Sequence, residues 1–288
     1  MLYCAMKRTM MLLLMLLSLQ RAQAGDRPDS LLVVFWNLEN FFDYKSDARP
    51  QYWTSRRFQA KCEGVCKTLL LIADRYGQFP DIVGFAEVEN RAVVSRLLRN
   101  TLLRKAGYGI VHYDSPDRRG IDCALIHRPP LVLESGSARH LYDSTGAVMH
   151  TRDILLASFG ELCVLVNHHP SKLGSGKGAA RDVAMERMRF LADSLLNAGA
   201  VGVLAVGDFN ECHWEGEGTI KYNGEWEKID GYFSFGDIVV QEEVFDHPLL
   251  LEKDRKYGGL KPRRTFIGPR YNGGLSDHLP VIFKVVWK

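Results

Sequence analysis

Four apolar runs in this sequence end in side chains of the same few types. Leu31–Trp36 runs into Asn37 and then Glu39, Asp81–Ala86 into Glu87, Glu161–Val166 into Asn167-His168-His169, and Gly202–Val206 into Gly207-Asp208-Phe209-Asn210. An acidic residue and a histidine, Asp277-His278, also stand just before the final run, Val281–Trp287. One carboxylate after a strand is ordinary turn chemistry. Four such ends delivering Asn, Glu, His or Asp point to a shared polar site. Carboxylate and amide oxygens suit a hard cation such as Mg2+ or Mn2+. Histidines and acids move protons near neutral pH. Together they suit metal-assisted hydrolysis at an anionic centre.

The runs themselves read as strands, rich in Val, Ile and aromatics and bounded by turn residues. Ile121–His127 and Ile229–Phe235 extend the set. Helical spacing of apolar residues predicts helices over Cys62–Tyr76, Arg91–Lys105 and Ala179–Leu196. Strands alternating with helices give an α/β domain, and the crowding of the later strands argues against a purely parallel sheet. In such folds ligands bind beyond the carboxyl ends of strands, because rigid strands aim the side chains there.

Read in order, FWNLEN (35–40), GFAEVEN (84–90), RGIDCALI (119–126), VNHHPSK (166–172), GDFNE (207–211), KIDGYF (228–233) and SDHLPV (276–281) resemble the endonuclease/exonuclease/phosphatase superfamily. The resemblance covers nearly the whole chain after its first two dozen residues. It implies a four-layered α/β sandwich, two packed mixed β-sheets flanked by helices. It also implies roles: Asn37 and Glu87 bind the metal and Asp277 completes that site. His278 is the catalytic histidine and Asp230 the acid that orients it. Asp208 and Asn210 position the attacking water and the phosphate oxygens, while His168 and Arg119 contact the substrate. Whether Asp208 or His278 is the base stays open, with His278 favoured. Gly231 separates Asp230 from Tyr232, where relatives often run Asp directly into an aromatic, so the register of Asp230 is a question for the structure. The family's active-site tyrosine is not assigned; Tyr113 is a candidate.

The remaining features bound the setting. Lys7 and Arg8, the apolar run Met10–Leu19 and Ala22-Gln23-Ala24 read as a secretory signal peptide over residues 1–24. The run is too short to span a hydrocarbon core of roughly 30 Å, so no stable membrane anchor is expected. A secreted or periplasmic monomer follows, with residues 25–288 as one catalytic domain. The net charge is +3, and three of the 37 basic residues (Lys7, Arg8 and Arg21) lie in the acid-free leader. The rest is balanced, without the basic excess of tight nonspecific nucleic-acid binders.

Among the cysteines after the leader, Cys123 and Cys163 sit in apolar runs and read as small buried hydrophobes. The stretch 173–178 imitates a P-loop but lacks its first Gly and its Ser/Thr, so it reads as a surface loop. His169 reads as packing or surface. Glu39 and Glu89 stand between supporting acids and solvated turns, Arg181 and Arg187 read as solvated as readily as phosphate-directed, and the pair Arg263-Arg264 reads more readily as solvated surface. The leading function is a secreted metal-dependent nuclease for DNA or RNA. A phosphodiesterase or phosphatase for lipid, inositol or sugar phosphates stands second, with Trp214–Trp226 as a candidate membrane hairpin. An inactive binding protein is the alternative from another class.

Overall fold

The first strand, β1 (Ser30–Phe41), buries both of its faces, which explains its unbroken apolar reading. Leu31, Val33 and Phe35 enter one core, while Leu32, Val34 and Trp36 enter another. Successive strand residues point to opposite faces, so each face is a separate set of contacts. The computed structural model describes residues 28–45, 52–171, 177–211 and 215–288. The expected signal peptide, most of the P-loop-like stretch, Cys212 and Trp214 lie outside the described residues. Leu31–Lys288 forms one unit.

Ten further strands complete two sheets: β2 (Ile82–Val88), β3 (Gly109–His112), β4 (Asp122–His127), β5 (Ser135–Arg139), β6 (Ile154–Phe159), β7 (Leu162–His168), β8 (Gly202–Asp208), β9 (Asp230–Gly236), β10 (Ile238–Val244) and β11 (Val281–Trp287). One sheet runs β10-β11-β1-β2-β4-β3 and the other β9-β8-β7-β6-β5. β1 pairs with β2 in parallel and β7 with β8 in parallel, amid antiparallel neighbours, so both sheets are mixed. Among the described residues, three helices cover them: α1 (Ser55–Tyr76), α2 (Arg91–Arg99) and α3 (Lys177–Asn197).

Between the sheets lie Val33, Phe35, Ile82 and Leu125 from one, and Leu155, Val164, Val166 and Leu204 from the other. Outside the first sheet, Val34, Trp36 and Phe85 pack on Phe58, Val65 and Leu69 of α1 and on Val93 and Leu97 of α2. Outside the second, Leu165, Val203 and Ala205 pack on Ala184, Met188 and Leu191 of α3. The layers are therefore helix, sheet, sheet, helix, as the resemblance implies. Cys123 and Cys163 are buried free thiols in these cores.

Two differences have local causes. The helix expected over Arg91–Lys105 is two helices, because Thr101 adopts extended backbone and caps a new 3-10 turn at Leu102–Lys105. The short edge strand β5 (SGSAR) is too polar to show a strand pattern in sequence. No described helix is long and apolar enough to cross a membrane.

Candidate active site

Most of the polar residues that seemed to follow the strands lie within them: Asn37 and Glu39 inside β1, Glu87 next to the end of β2, and His168 and Asp208 as the last residues of β7 and β8. β1 and β2 stay in register from Val33↔Ile82 to Asn37↔Ala86, then lose it before Phe41↔Val88. β2 loses register with β4 between Phe85 and Val88 as well. At these bulges Glu39, Asn40 and Glu87 take left-handed φ values of 43°, 49° and 61°. A bulge re-aims a side chain, and such backbone strain concentrates at functional sites. It is held here by hydrogen bonds. The Glu39 N–H donates to Asn37 Oδ1 at 2.9 Å and the Asn40 N–H to Glu87 Oε2 at 2.8 Å. Glu87 Oε1 is left facing His168 Nε2 at 3.9 Å and Arg119 Nη2 at 3.4 Å.

The second sheet delivers its groups in a row. β7 and β8 pair down to His168↔Asp208, and β9 begins with Asp230 opposite Asp208. This close approach needs Gly207: a Cβ there would lie 2.5 Å from the Asn167 carbonyl oxygen. His278 is fixed from several sides. Its carbonyl accepts from Trp36 Nε1 at 2.9 Å, and its N–H donates to Ser276 Oγ at 3.0 Å. Ser276 in turn donates to the Asn37 carbonyl at 2.6 Å.

The His278 ring donates from Nδ1 to Asp230 Oδ2 at 2.7 Å and presents Nε2 to Asp208 Oδ2 and Asp277 Oδ1, each at 3.9 Å. Asp208 Oδ2 also accepts from Asn37 Nδ2 at 3.0 Å and lies 3.6 Å from His168 Nε2. One short cluster therefore draws on both sheets.

Its electrostatics separate the two histidines. Burial works against a charge on His278, but the hydrogen-bonded Asp230 carboxylate outweighs it, with Asp208 and Asp277 adding, and lifts the imidazole well above its ordinary pKa. Burial, together with Arg152, Arg119 and His278, pushes His168 well below it. Burial and then the Asp230 charge raise the Asp208 carboxyl to about 7, only partly offset by His278 and the Asn37 hydrogen bond.

Glu87, Asp208, Asp230 and Asp277 converge with ligand-capable histidines, and ligand atoms of Asp208, Asp230 and His278 lie within 4.8 Å of one another. So many hard oxygen donors at one centre fit a divalent cation. A cavity of about 430 Å³ opens beside Glu87's partner Arg119, with Asn90, Asp117 and Arg118 also in its wall.

The sequence matches the Endonuclease/Exonuclease/phosphatase family over residues 32–215 and 211–287. The chain belongs to the endonuclease/exonuclease/phosphatase family. The search of curated proteins gave no match. Among solved structures, the chain is similar to a family protein from Bacteroides thetaiotaomicron, with TM-score 0.58 and 16% identity over 91% of this chain and 99% of that one. It is similar to D. rerio TDP2 complexed with a single-strand DNA product (TM-score 0.55, 13% identity, 90% and 99% covered). It is also similar to the human Nocturnin catalytic domain with bound sulfate (TM-score 0.54, 16% identity, 92% and 97% covered). At these identities the likeness is one of fold.

Within this family member, the structure gathers Asn37, Glu87, His168, Asp208, Asp230 and His278, with Arg119 on one side and Asp277 on the other. The register of Asp230 is resolved, since the bond to His278 runs across the Gly231 spacing. Asn210 adopts φ 53°, donates its N–H to Asp208 Oδ1 at 2.9 Å and turns its amide to the His169 carbonyl at 2.9 Å. His169 is buried against Phe209, ring centroids 4.9 Å apart, so it is a packing residue. Tyr113 donates to the Gly136 carbonyl at 2.8 Å and is turned toward β5.

Glu39 is no solvated turn acid. It is buried and accepts from Arg264 and from the Thr265 N–H. Glu89 accepts from the Asp43 N–H, Arg181 faces Glu211, and Arg187 lies over Phe190.

Sequence reasoning misses three supports. Thr219 hydrogen-bonds Asp230 Oδ2, Arg152 reaches the His169 carbonyl and Asp117, and Lys61 is buried under the β1 bulge. Only Lys61 leaves a signal, a lysine on the face of α1 that otherwise carries Phe58, Cys62, Val65 and Leu69.

Proposed function

We propose that this chain is an exported, divalent-metal-dependent phosphodiesterase that cuts nucleic acid by hydrolysis. The observation that carries the reading is the line Asp230–His278–Asp208 facing Glu87, with one histidine held cationic and the other neutral. Groups whose environments drive their pKa values apart mark acid and base roles.

Asn37, Glu87 and Asp277 would hold Mg2+ or Mn2+, which supplies charge neutralisation at the phosphate and the leaving oxygen. The chain's own groups do the rest. Asp208, raised into the neutral range, takes the proton of the attacking water, with Asn210 bracing its other oxygen. His278 aims its Nε2–H at a non-bridging phosphate oxygen, and Asp230 fixes that tautomer. This reverses the preference for His278 as base, because a proton held so firmly is better shared than surrendered. Neutral His168 and exposed Arg119 contact the phosphate or leaving group. Phosphoryl transfer asks mainly for such positioning and charge. The single-strand DNA product bound by the similar TDP2 structure supports a strand as substrate.

A second reading has one observation in its favour. The hairpin Ile220–Tyr222/Glu225–Glu227 is joined to His278 through an Ile220↔His278 bridge and exposes Tyr222 and Trp226. A lipid-bearing phosphodiester would use that surface.

The test is nicking of supercoiled plasmid by residues 25–288 with Mg2+, with EDTA, and by His278→Ala. Metal-dependent nicking that falls at least ~100-fold in the variant is expected. Intact plasmid beside an active control nuclease would reject the nuclease reading and direct assays to phospholipid and inositol phosphate esters. Export is tested by sequencing the N-terminus of secreted or periplasmic protein, where Gly25 is expected first. A monomer is expected in solution.

A further inference from the structure

Resting on the phosphodiesterase reading above, we infer that Arg264 binds a second phosphate of the substrate, beside the one that is cleaved. Arg263 and Arg264 link two small hairpins, following the strand Leu260–Pro262 of the first and preceding Phe266–Ile267 of the second. The two arginines have different fates. Arg263 folds back on its own loop, donating to the Asn272 carbonyl at 2.9 Å. Arg264 reaches the active centre, donating from Nε to Glu39 Oε1 at 2.7 Å and pairing from Nη2 with Asp277 Oδ2 at 3.0 Å.

The grip on Arg264 is built from buried parts. The Glu39 side chain is 6% exposed, and its second oxygen accepts the Thr265 N–H at 2.9 Å. Lys61, also buried, bonds both the Glu39 carbonyl and Thr265 Oγ1. Burying a carboxylate is costly unless it is paired. Here it is buried on the side of Arg264 that faces the protein.

Even so, the Arg264 side chain is 47% exposed. A guanidinium has five N–H donors in a rigid plane, so two contacts leave an edge that can take a phosphate bidentately. A lysine could not bridge Glu39 and Asp277 and still present such an edge. That edge opens next to Asp277, whose Oδ1 lies 3.9 Å from His278 Nε2, the atom aimed at the scissile group. Arg119 stands in the same relation to Glu87, tethered at 3.4 Å and 46% exposed. A centre of four acids in a chain of balanced charge needs local cations to admit a polyanion, and these two arginines supply them.

The experiment compares thymidine dinucleotides without a terminal phosphate, with a 5′-phosphate and with a 3′-phosphate. An inositol bisphosphate competitor is included to learn whether a small molecule can supply the second phosphate. Values of kcat and KM are measured with Mg2+ for the wild type, Arg264→Gln and Arg264→Lys. The wild type is expected to favour one phosphorylated dinucleotide at least ~10-fold in kcat/KM, the size of a charge-assisted contact. Arg264→Gln should collapse that preference toward one, chiefly through KM, and Arg264→Lys should keep part of it. If Arg264→Gln lowers all three substrates alike and leaves the preference intact, Arg264 acts only through Asp277 and the inference is wrong. Absence of cleavage of the dinucleotides and of plasmid by the wild type would instead overturn the nuclease reading, and this one with it.

Discussion

Replacing Lys61 by Met should unfold the protein's support for its active site before it touches the site itself. The Lys61 ammonium donates to the Leu38 carbonyl, to the Glu39 carbonyl at 3.0 Å and to Thr265 Oγ1 at 2.9 Å. It also lies over the Phe41 and Trp53 rings at 5.2 and 5.3 Å. Burial pushes it down to about 8, against Glu39, Asp277 and Glu87, so it is still mostly charged at pH 7.

Met keeps the volume but removes the shared donor of three buried acceptors, while the Glu39 carboxylate stays paired with Arg264. Leaving a buried acceptor without its donor costs about 1–3 kcal/mol, so the loss of all three comes to about 3–5 kcal/mol. For a domain of this size that is a fall in Tm on the order of 10 °C. Thermal melts and urea titrations measure it. The second readout is Mn2+ affinity, because Leu38 and Glu39 belong to the bulge that orients Asn37 and Glu87. Leu69→Ala, a cavity in the same helix, should lower Tm by about 2–5 kcal/mol worth of stability and leave Mn2+ affinity unchanged. A Lys61→Met protein that melts within 2–3 °C of wild type, or binds Mn2+ as tightly, would refute the reasoning.

Two further outcomes follow from the same geometry. Asp208 holds its proton to about 7 in the fold and to its ordinary 3.8 in the unfolded chain, so its contribution to stability falls as pH rises through that window. In EDTA, Asp208→Asn should therefore melt above wild type at pH 8, by about 1–4 kcal/mol, with the gap closing toward pH 4; a wild type that is the more stable at pH 8 contradicts this. Gly207→Ala would set a Cβ 2.6 Å from the Asn167 Cβ, one pair before His168↔Asp208. It should cost about 1–3 kcal/mol and abolish plasmid nicking; full activity in that variant would show that the strands can part there without moving the site.

Much of the site was legible because strands have a period of two and these are buried on both faces. Leu31–Trp36 and Gly202–Val206 could be nothing but apolar, so the polar residues where each run stopped stood out. Asp230 shows the limit of that reading. Its type and motif were visible, but its bond to His278 crosses 48 residues of sequence, and the Gly231 spacing could be judged only once the pair was seen in place. His168 and His169 were separable by alternation, although the burial of His169 against Phe209 was not. The single helix expected over Arg91–Lys105 failed because a capping threonine outweighed continuing periodicity.

The sequence by itself determined seven of the main strands and the helices among them, in order, and which polar side chains stand near their ends, because periodicity and turn chemistry act over a few residues; it left β3, β5, β6 and β10 unmarked. Tertiary structure alone decided the left-handed bulges at Glu39 and Glu87, the cationic state of His278 beside a neutral His168, and the roles of Lys61, Thr219 and Arg264. Each of those depends on groups far apart in the chain brought within a few ångströms in a buried setting. There desolvation and pairing set charge and geometry, and no local pattern records them.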